Sequence, residues 1–285
     1  HYLGRIDGDA AAAADHARRA LQAAEQFPDR AGEASFLLGT ALIRLAERAD
    51  KEEAPGLWKE AREHLEDAEQ QGVPEEDQGR LGYRLGKVGY HTREDPRAVA
   101  DRLAASVEQA DDKAEAYGLL TQAYLRLSPP DLVGALKANE ELRQVPLAPE
   151  EVLAPARLLG GELLLRLRQP EKARKVLDRV GDQAAPEVLV RARLLRALSF
   201  QEQHKWAEAA NLYQAALADG RVPPDVPTRI LFNLGKCYRQ LDQPQEAIRA
   251  WDECARRSHD DEGPAAALYL VELRLQGNEY EKALE

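Results

Sequence analysis

The chain has 285 residues, 44% hydrophobic and 31% charged, with 39 bases against 50 acids for a net charge of −11. That balance excludes a disordered linker, which could not bury a core, and counts against nucleic acid, whose phosphates demand a broad basic field. No apolar run reaches the roughly 18 residues needed to cross a bilayer as a helix, and no signal-peptide pattern is present.

In chain order, His1 to Arg5 reads as the tail of a first helix and Ala10 to Gln26 as its partner. Small residues then recur inside apolar helical segments. Gly39, Gly86, Thr121, Gly161, Ala197 and Gly235 stand 35 to 47 residues apart, and Val271 follows 36 residues after the last. A self-similar period of this kind, with no strand signal between the marks, is the signature of stacked helical hairpins.

Each mark carries a pattern. After Gly235 a large residue follows at 3 (Tyr238), a small one at 12 (Ala247), a large one at 16 (Trp251) and a small one at 19 (Cys254). Gly161 repeats it with Leu164, Ala173, Leu177 and Val180, and Ala197 with Phe200, Ala209, Tyr213 and Ala216. Thr121 reaches Ala135, Asn139 and Leu142 after two inserted residues, and Gly39 needs ten extra to reach Ala61, Leu65 and Ala68, insertions expected to fall between the paired helices, where a solenoid tolerates them. Gly86 departs most, offering Gly89, Ala98, Arg102 and Ala105. Helices cross closely only where side chains are small, so the marks are predicted contact points and the large residues plugs between them. Gly82, Gly86 and Gly89 fit close helix approach rather than a phosphate-cradling loop. Asp95-Pro96, Pro129-Pro130-Asp131, Gln169-Pro170 and Gln243-Pro244 predict the starts of second helices, where proline's missing donor is not needed. At the end of the chain, Tyr280 to Glu285 opens a further second helix.

On this spacing the chain resembles the tetratricopeptide repeat (TPR) family, most closely over residues 150 to 285; Trp206 to Leu217 is similar to the family's typical second helix. The expected fold is all-α, a right-handed superhelical α-solenoid of helix-turn-helix hairpins in one domain, 1–285. Complete repeats are expected at about 32–72, 77–110, 114–145, 150–181, 186–218 and 226–258, with partial ones at about 1–27 and 264–285. Both ends cut through a repeat, and solenoid ends normally carry polar caps. The stretch therefore reads as a piece of a longer protein.

Catalytic and metal chemistry find no foothold. The six histidines (His1, His16, His64, His91, His204 and His259) include no pair at helical metal-binding spacing, and the serines lack a nucleophile-elbow context. Acidic pairs such as Glu52-Glu53, Glu75-Glu76, Asp111-Asp112 and Asp260-Asp261 fall at loops or helix starts, where they favour the helix dipole. Cys237 and Cys254 share a hairpin at packing positions and read as buried structural thiols, a disulfide being the alternative. No catalytic residue, cofactor or metal is expected.

Charge is uneven: residues 47–78 hold twelve acids and four bases, while 151–200 hold ten bases and six acids. In this architecture the first helix of each hairpin lines the inner groove. With the mark fixing its rotation, the groove collects Arg44, Arg80, Tyr83, Lys87, Tyr90, His91, Arg126, Arg166, Arg191, Arg229, Phe232, Lys236 and Arg239. Glu33, Glu115, Glu162, Glu202 and Glu272 interrupt it, leaving a positive bias suited to an extended acidic segment or a chain-end carboxylate. The alternative is that these cations merely pair with the glutamates. Asn233 stands where peptide-binding TPR proteins place an asparagine that hydrogen-bonds ligand backbone. Its counterparts are Leu37, Arg84, Leu119, Leu159, Leu195 and Tyr269, so the family's full clamp for chaperone tails is missing.

The expected function is a non-catalytic scaffold that binds a protein or peptide partner, acidic or extended, through the groove or the edges of the stack. The alternatives are a membrane-associated structural arm, attached through regions outside this stretch, and the regulatory part of a larger enzyme. Compartment and oligomeric state are left open.

Overall fold

The computed structural model describes residues 9–24, 30–218, 226–257 and 262–276. Among them are fourteen α-helices, a 3-10 turn at Val107–Gln109 and no strand. The expected helices over His1–Arg5 and Tyr280–Glu285 lie outside the described residues, as do Gln26, Ser258, His259 and Asp260-Asp261.

Two compact units divide the chain, residues 1–145 and 146–285. In the first, α1 (Ala10–Ala23) packs on α2 (Ala31–Arg48), which forms a hairpin with α3 (Ala54–Gln71). Two further hairpins follow, α4 (Glu75–His91) with α5 (Pro96–Ser106) and α6 (Lys113–Arg126) with α7 (Leu132–Leu142). In the second unit the hairpins are α8 (Glu150–Arg166) with α9 (Pro170–Leu177), α10 (Pro186–Gln201) with α11 (Trp206–Ala218), and α12 (Val226–Gln240) with α13 (Pro244–Arg257). The last helix, α14 (Glu262–Gln276), packs on α13.

Helix starts follow local chemistry. Asp95 caps α5 by accepting from the Ala98 N–H at 3.0 Å, Asp112 caps α6 from Glu115 at 3.0 Å, and Asp131 caps α7 from Gly134 at 2.8 Å. Each cap answers a donor that the first helical turn leaves open. Helices α5, α9 and α13 begin on Pro96, Pro170 and Pro244, as the sequence leads one to expect.

The marks and plugs meet. A Cβ on Gly161 would lie 2.5 Å from Leu177, one on Gly39 would lie 2.7 Å from Leu65, and one on Gly235 would collide with the Trp251 indole. Trp251, Tyr213, Leu65 and Leu177 are all buried. The Trp251 Nε1–H donates to the Phe232 carbonyl at 3.0 Å, which satisfies the one polar atom of that plug.

Two details differ from expectation. Gly86 packs against Leu103, with a Cβ–Leu103 distance of 2.8 Å, not against Arg102. The α4–α5 turn is one residue longer than α12–α13, which carries the arginine outward and turns the leucine in. The residues inserted after Gly39 largely form helix rather than loop. Helix α2 runs nine residues past its mark where α12 runs five, and Ala61 is the eighth residue of α3 where Ala247 is the fourth of α13. Each helix thus gains about one turn.

Four hairpin turns share a feature no residue type announced. Arg93, Arg168, His204 and Asp242 all stand seven residues after a mark and all have a left-handed backbone, with φ of 57° or 58°.

Candidate functional site

In residues 1–145 the first helices α2, α4 and α6 bring together most of the expected groove residues, and carboxylates answer nearly all the cations. Lys87, on α4, is buried to 3% side-chain exposure between Glu47 of α2 and Glu115 of α6, the latter at 2.5 Å. Tyr83 donates its hydroxyl to the other oxygen of Glu115 at 3.1 Å. Arg84 is buried as well. One of its nitrogens meets Asp111 at 3.1 Å while the guanidinium lies 4.6 Å over the Phe36 ring. Arg80 reaches Asp77 at 3.2 Å and Asp111 at 3.7 Å, Arg44 meets Glu47 at 3.1 Å, and Glu33 pairs with Arg30 at 2.7 Å. Between these side chains remains a cavity of about 30 Å³, lined by Thr40, Ile43, Tyr83, Lys87 and Asp112 among others.

The electrostatics follow from this caging. Burial alone would raise the Glu47 carboxyl, but hydrogen bonds and charge from Lys87 and Arg44 outweigh it and hold the group below its ordinary value. Burial, then the Glu115 charge, pushes the Tyr83 phenol upward. Burial lowers the Arg84 guanidinium, although Asp111 opposes the shift. At the end of α4, Arg126 lies 3.5 Å over the Tyr90 ring and donates to the Tyr90 carbonyl at 2.9 Å. His91 stacks on Trp58 at 4.0 Å with the planes 6° apart.

The first helices of residues 146–285 present a different surface. Arg166 on α8 and Arg191 on α10 are exposed, and no carboxylate pairs with either among the described residues; Glu162 is exposed beside them on α8. Lys236 on α12 lies 4.2 Å over the Phe232 ring and 5.9 Å from the Tyr269 centroid. Burial lowers its ammonium pKa. Other cations are answered: Arg229 meets Glu262 at 3.6 Å, Arg168 meets Glu202 at 3.5 Å, and Arg239 makes a two-pronged pair with Glu272 at 2.8 and 3.1 Å.

Asn233 is buried and engaged within the fold. Its amide nitrogen donates to the Arg229 carbonyl at 2.9 Å, and its oxygen accepts from Gln201 at 3.4 Å. Gln201 in turn accepts from the Tyr213 hydroxyl at 2.9 Å. Position along the helix showed the asparagine; only the rotamer shows that it braces α12 against α10.

Cys237 and Cys254 are both free and buried, and burial pushes their thiols up to about 12 and about 11. Among the described residues no group of three or more His, Cys, Asp or Glu side chains is arranged to hold a metal. No described helix is long and apolar enough to cross a membrane.

No protein-family model matches the chain, and no curated protein matches it. Solved structures do. The chain is similar to the C-terminal part of a TPR repeat-containing protein from Cytophaga hutchinsonii, at 12% identity and TM-score 0.59 over 91% of this chain and 95% of that one. It is similar to a tetratricopeptide repeat protein from Parabacteroides merdae, at 16% identity and TM-score 0.55 over 86% and 89%. A third likeness is to YrrB, a TPR protein with an unusual peptide-binding site, at 14% identity and TM-score 0.53 over 75% of this chain and 97% of that one. The chain therefore has the all-α helical-repeat fold of tetratricopeptide proteins.

Proposed function

We propose that the chain is a non-catalytic protein-interaction scaffold, and that it holds an extended acidic segment against the first helices of residues 146–285. The supporting observation is the pair of exposed cations Arg166 and Arg191, joined by Lys236 seated on two aromatic rings, none of the three having a carboxylate partner among the described residues. Such cations retain their charge for a partner's carboxylates, whereas those of α4 are already neutralised. Phe232 and Tyr269 add apolar surface beside the Lys236 charge, a combination suited to an extended chain. YrrB, with its peptide-binding site, offers a precedent for peptide capture on a similar fold. Tyr83, Lys87, Tyr90, Arg80 and Arg126 are then bracing residues, and Asn233 holds its neighbours rather than the ligand.

The test is anisotropy of a fluorescein-labelled glutamate-rich peptide. Reversing Arg166, Arg191 and Lys236 to Glu together is expected to weaken binding about tenfold or more, with the melting temperature nearly unchanged. A control with the same charge change, Lys59→Glu with Arg93→Glu and Arg97→Glu, should bind almost as the parent does. Equal losses in both variants would show that net charge alone attracts the peptide, and the site would be abandoned.

A further inference from the structure

The second helices of residues 146–285 carry a feature that the first-helix face does not explain. Ala207, Ala210, Asn211 and Gln214 recur on α11 at steps of three and four and so form one stripe. In the neighbouring repeats the same register holds longer side chains, mostly charged: Glu171, Arg174 and Lys175 on α9 with Asp178 at its C-cap, and Gln245, Ile248, Arg249 and Asp252 on α13. Small and uncharged residues on α11 alone open a groove of about 400 Å³ against the end of α12 and the start of α13. That size lies within the roughly 300–1,000 Å³ of ligand-holding clefts.

The lining has a defined chemistry. Asn211, Gln214 and Gln243 present carboxamides, each able to donate and to accept. The Gln214 nitrogen donates to the Tyr238 hydroxyl, which leaves the phenolic proton free to donate in its turn. Paired donors and acceptors on an alanine floor match the main chain of an extended peptide, whose N–H and C=O alternate. Glu246 is the one charge that lines the groove, and it has no cationic partner among the described residues. It stands in the first turn of α13, where the helix dipole favours a carboxylate.

We infer that this groove is a second docking site, taking a short extended peptide segment whose lysine or arginine meets Glu246. It is independent of the first-helix face, since it uses α11, the end of α12 and the first turn of α13.

The probe is a capped pentapeptide, Ala-Ala-Lys-Ala-Ala, titrated into the whole nitrogen-15-labelled chain, with Ala-Ala-Glu-Ala-Ala as its counterpart. The lysine peptide is expected to move the side-chain amide signals of Asn211 and Gln243 saturably, and the glutamate peptide to bind at least about fivefold more weakly. Ala207→Leu fills the groove from its exposed rim and should abolish the shifts while leaving the melting temperature and the glutamate-rich peptide's anisotropy unchanged. Glu246→Gln should bring the two pentapeptides to equal affinity. Shifts that survive Ala207→Leu, or that never saturate at these amides, would overturn the proposal; equal binding of both pentapeptides by the parent chain would overturn the basic-segment assignment.

Discussion

Lys87 and Lys236 each stand one residue after a mark, in residues 1–145 and 146–285 respectively, yet one is caged and the other is not. Around Lys87 the preceding first helix supplies Glu47, eight residues past its mark, and the next supplies Glu115, six before its own. Before Lys236, α10 ends four residues past its mark and has no turn where Glu47 would stand, and Ala265 occupies the Glu115 register, so its ammonium rests on Phe232 and Tyr269 instead. The wider balance runs the same way. Residues 1–145 hold 19 bases against 28 acids, and residues 146–285 hold 20 against 22. One repeat thus yields a bracing strut or an available charge according to the length of the preceding first helix and one residue of the next.

The largest expected effect tests that contrast directly. Lys87→Met leaves two partly buried carboxylates with only Arg44 and the Tyr83 hydroxyl to answer them and should cost about 2 kcal/mol at neutral pH, whereas Lys236→Met should cost well under about 1 kcal/mol. Chemical denaturation of both variants measures the difference, and similar losses would erase the distinction between strut and free charge. Acid sharpens it. The Glu47 pKa is lowered in the fold, so its contribution is complete above the unfolded value near 4.5 and disappears as pH falls through the lower folded value. Lys87→Met and the parent should therefore converge in stability below that pH.

A smaller change should convert one region into the likeness of the other. Ala265→Glu places a carboxylate at the register from which Glu115 meets Lys87, and is expected to lower affinity for the glutamate-rich peptide about twofold or more while adding up to about 1 kcal/mol of stability. Unchanged affinity would mean that Lys236 does not meet the peptide. The smallest effect should be blind to region. Arg93→Gly and Arg168→Gly each relieve a left-handed arginine, offset by the entropy glycine adds to the unfolded chain, and should stabilise by about 0.5–1 kcal/mol alike. Unequal gains would show that the two turns are not equivalent.

The hairpins were legible in sequence because they depend on local periodicity: Gly161 and Leu177, or Gly235 and Trp251, recur at one spacing and meet in space. Caps and prolines marked the second-helix starts for the same local reason. The fate of the charges was hidden, since Lys87 lies 40 residues from Glu47 and 28 from Glu115, and nothing in a linear pattern pairs them. Asn233 showed a suggestive position but not its bond to the Arg229 carbonyl, which depends on a rotamer. The left-handed turns were invisible because none carries glycine. The α11 groove left no motif, being made of alanines and amides whose meaning comes from what the adjacent repeats put at the same register.

Because each plug lies only 16 to 26 residues beyond the seat it fills, closing a hairpin requires little chain to be searched. A nascent polypeptide can therefore complete one hairpin while the next is still being synthesised, each finished unit offering its apolar flank as a template. The acquisition of structure then proceeds from the amino end in step with translation, and a polar change at a seat such as Gly161 should stall it there rather than unravel what has already been laid down.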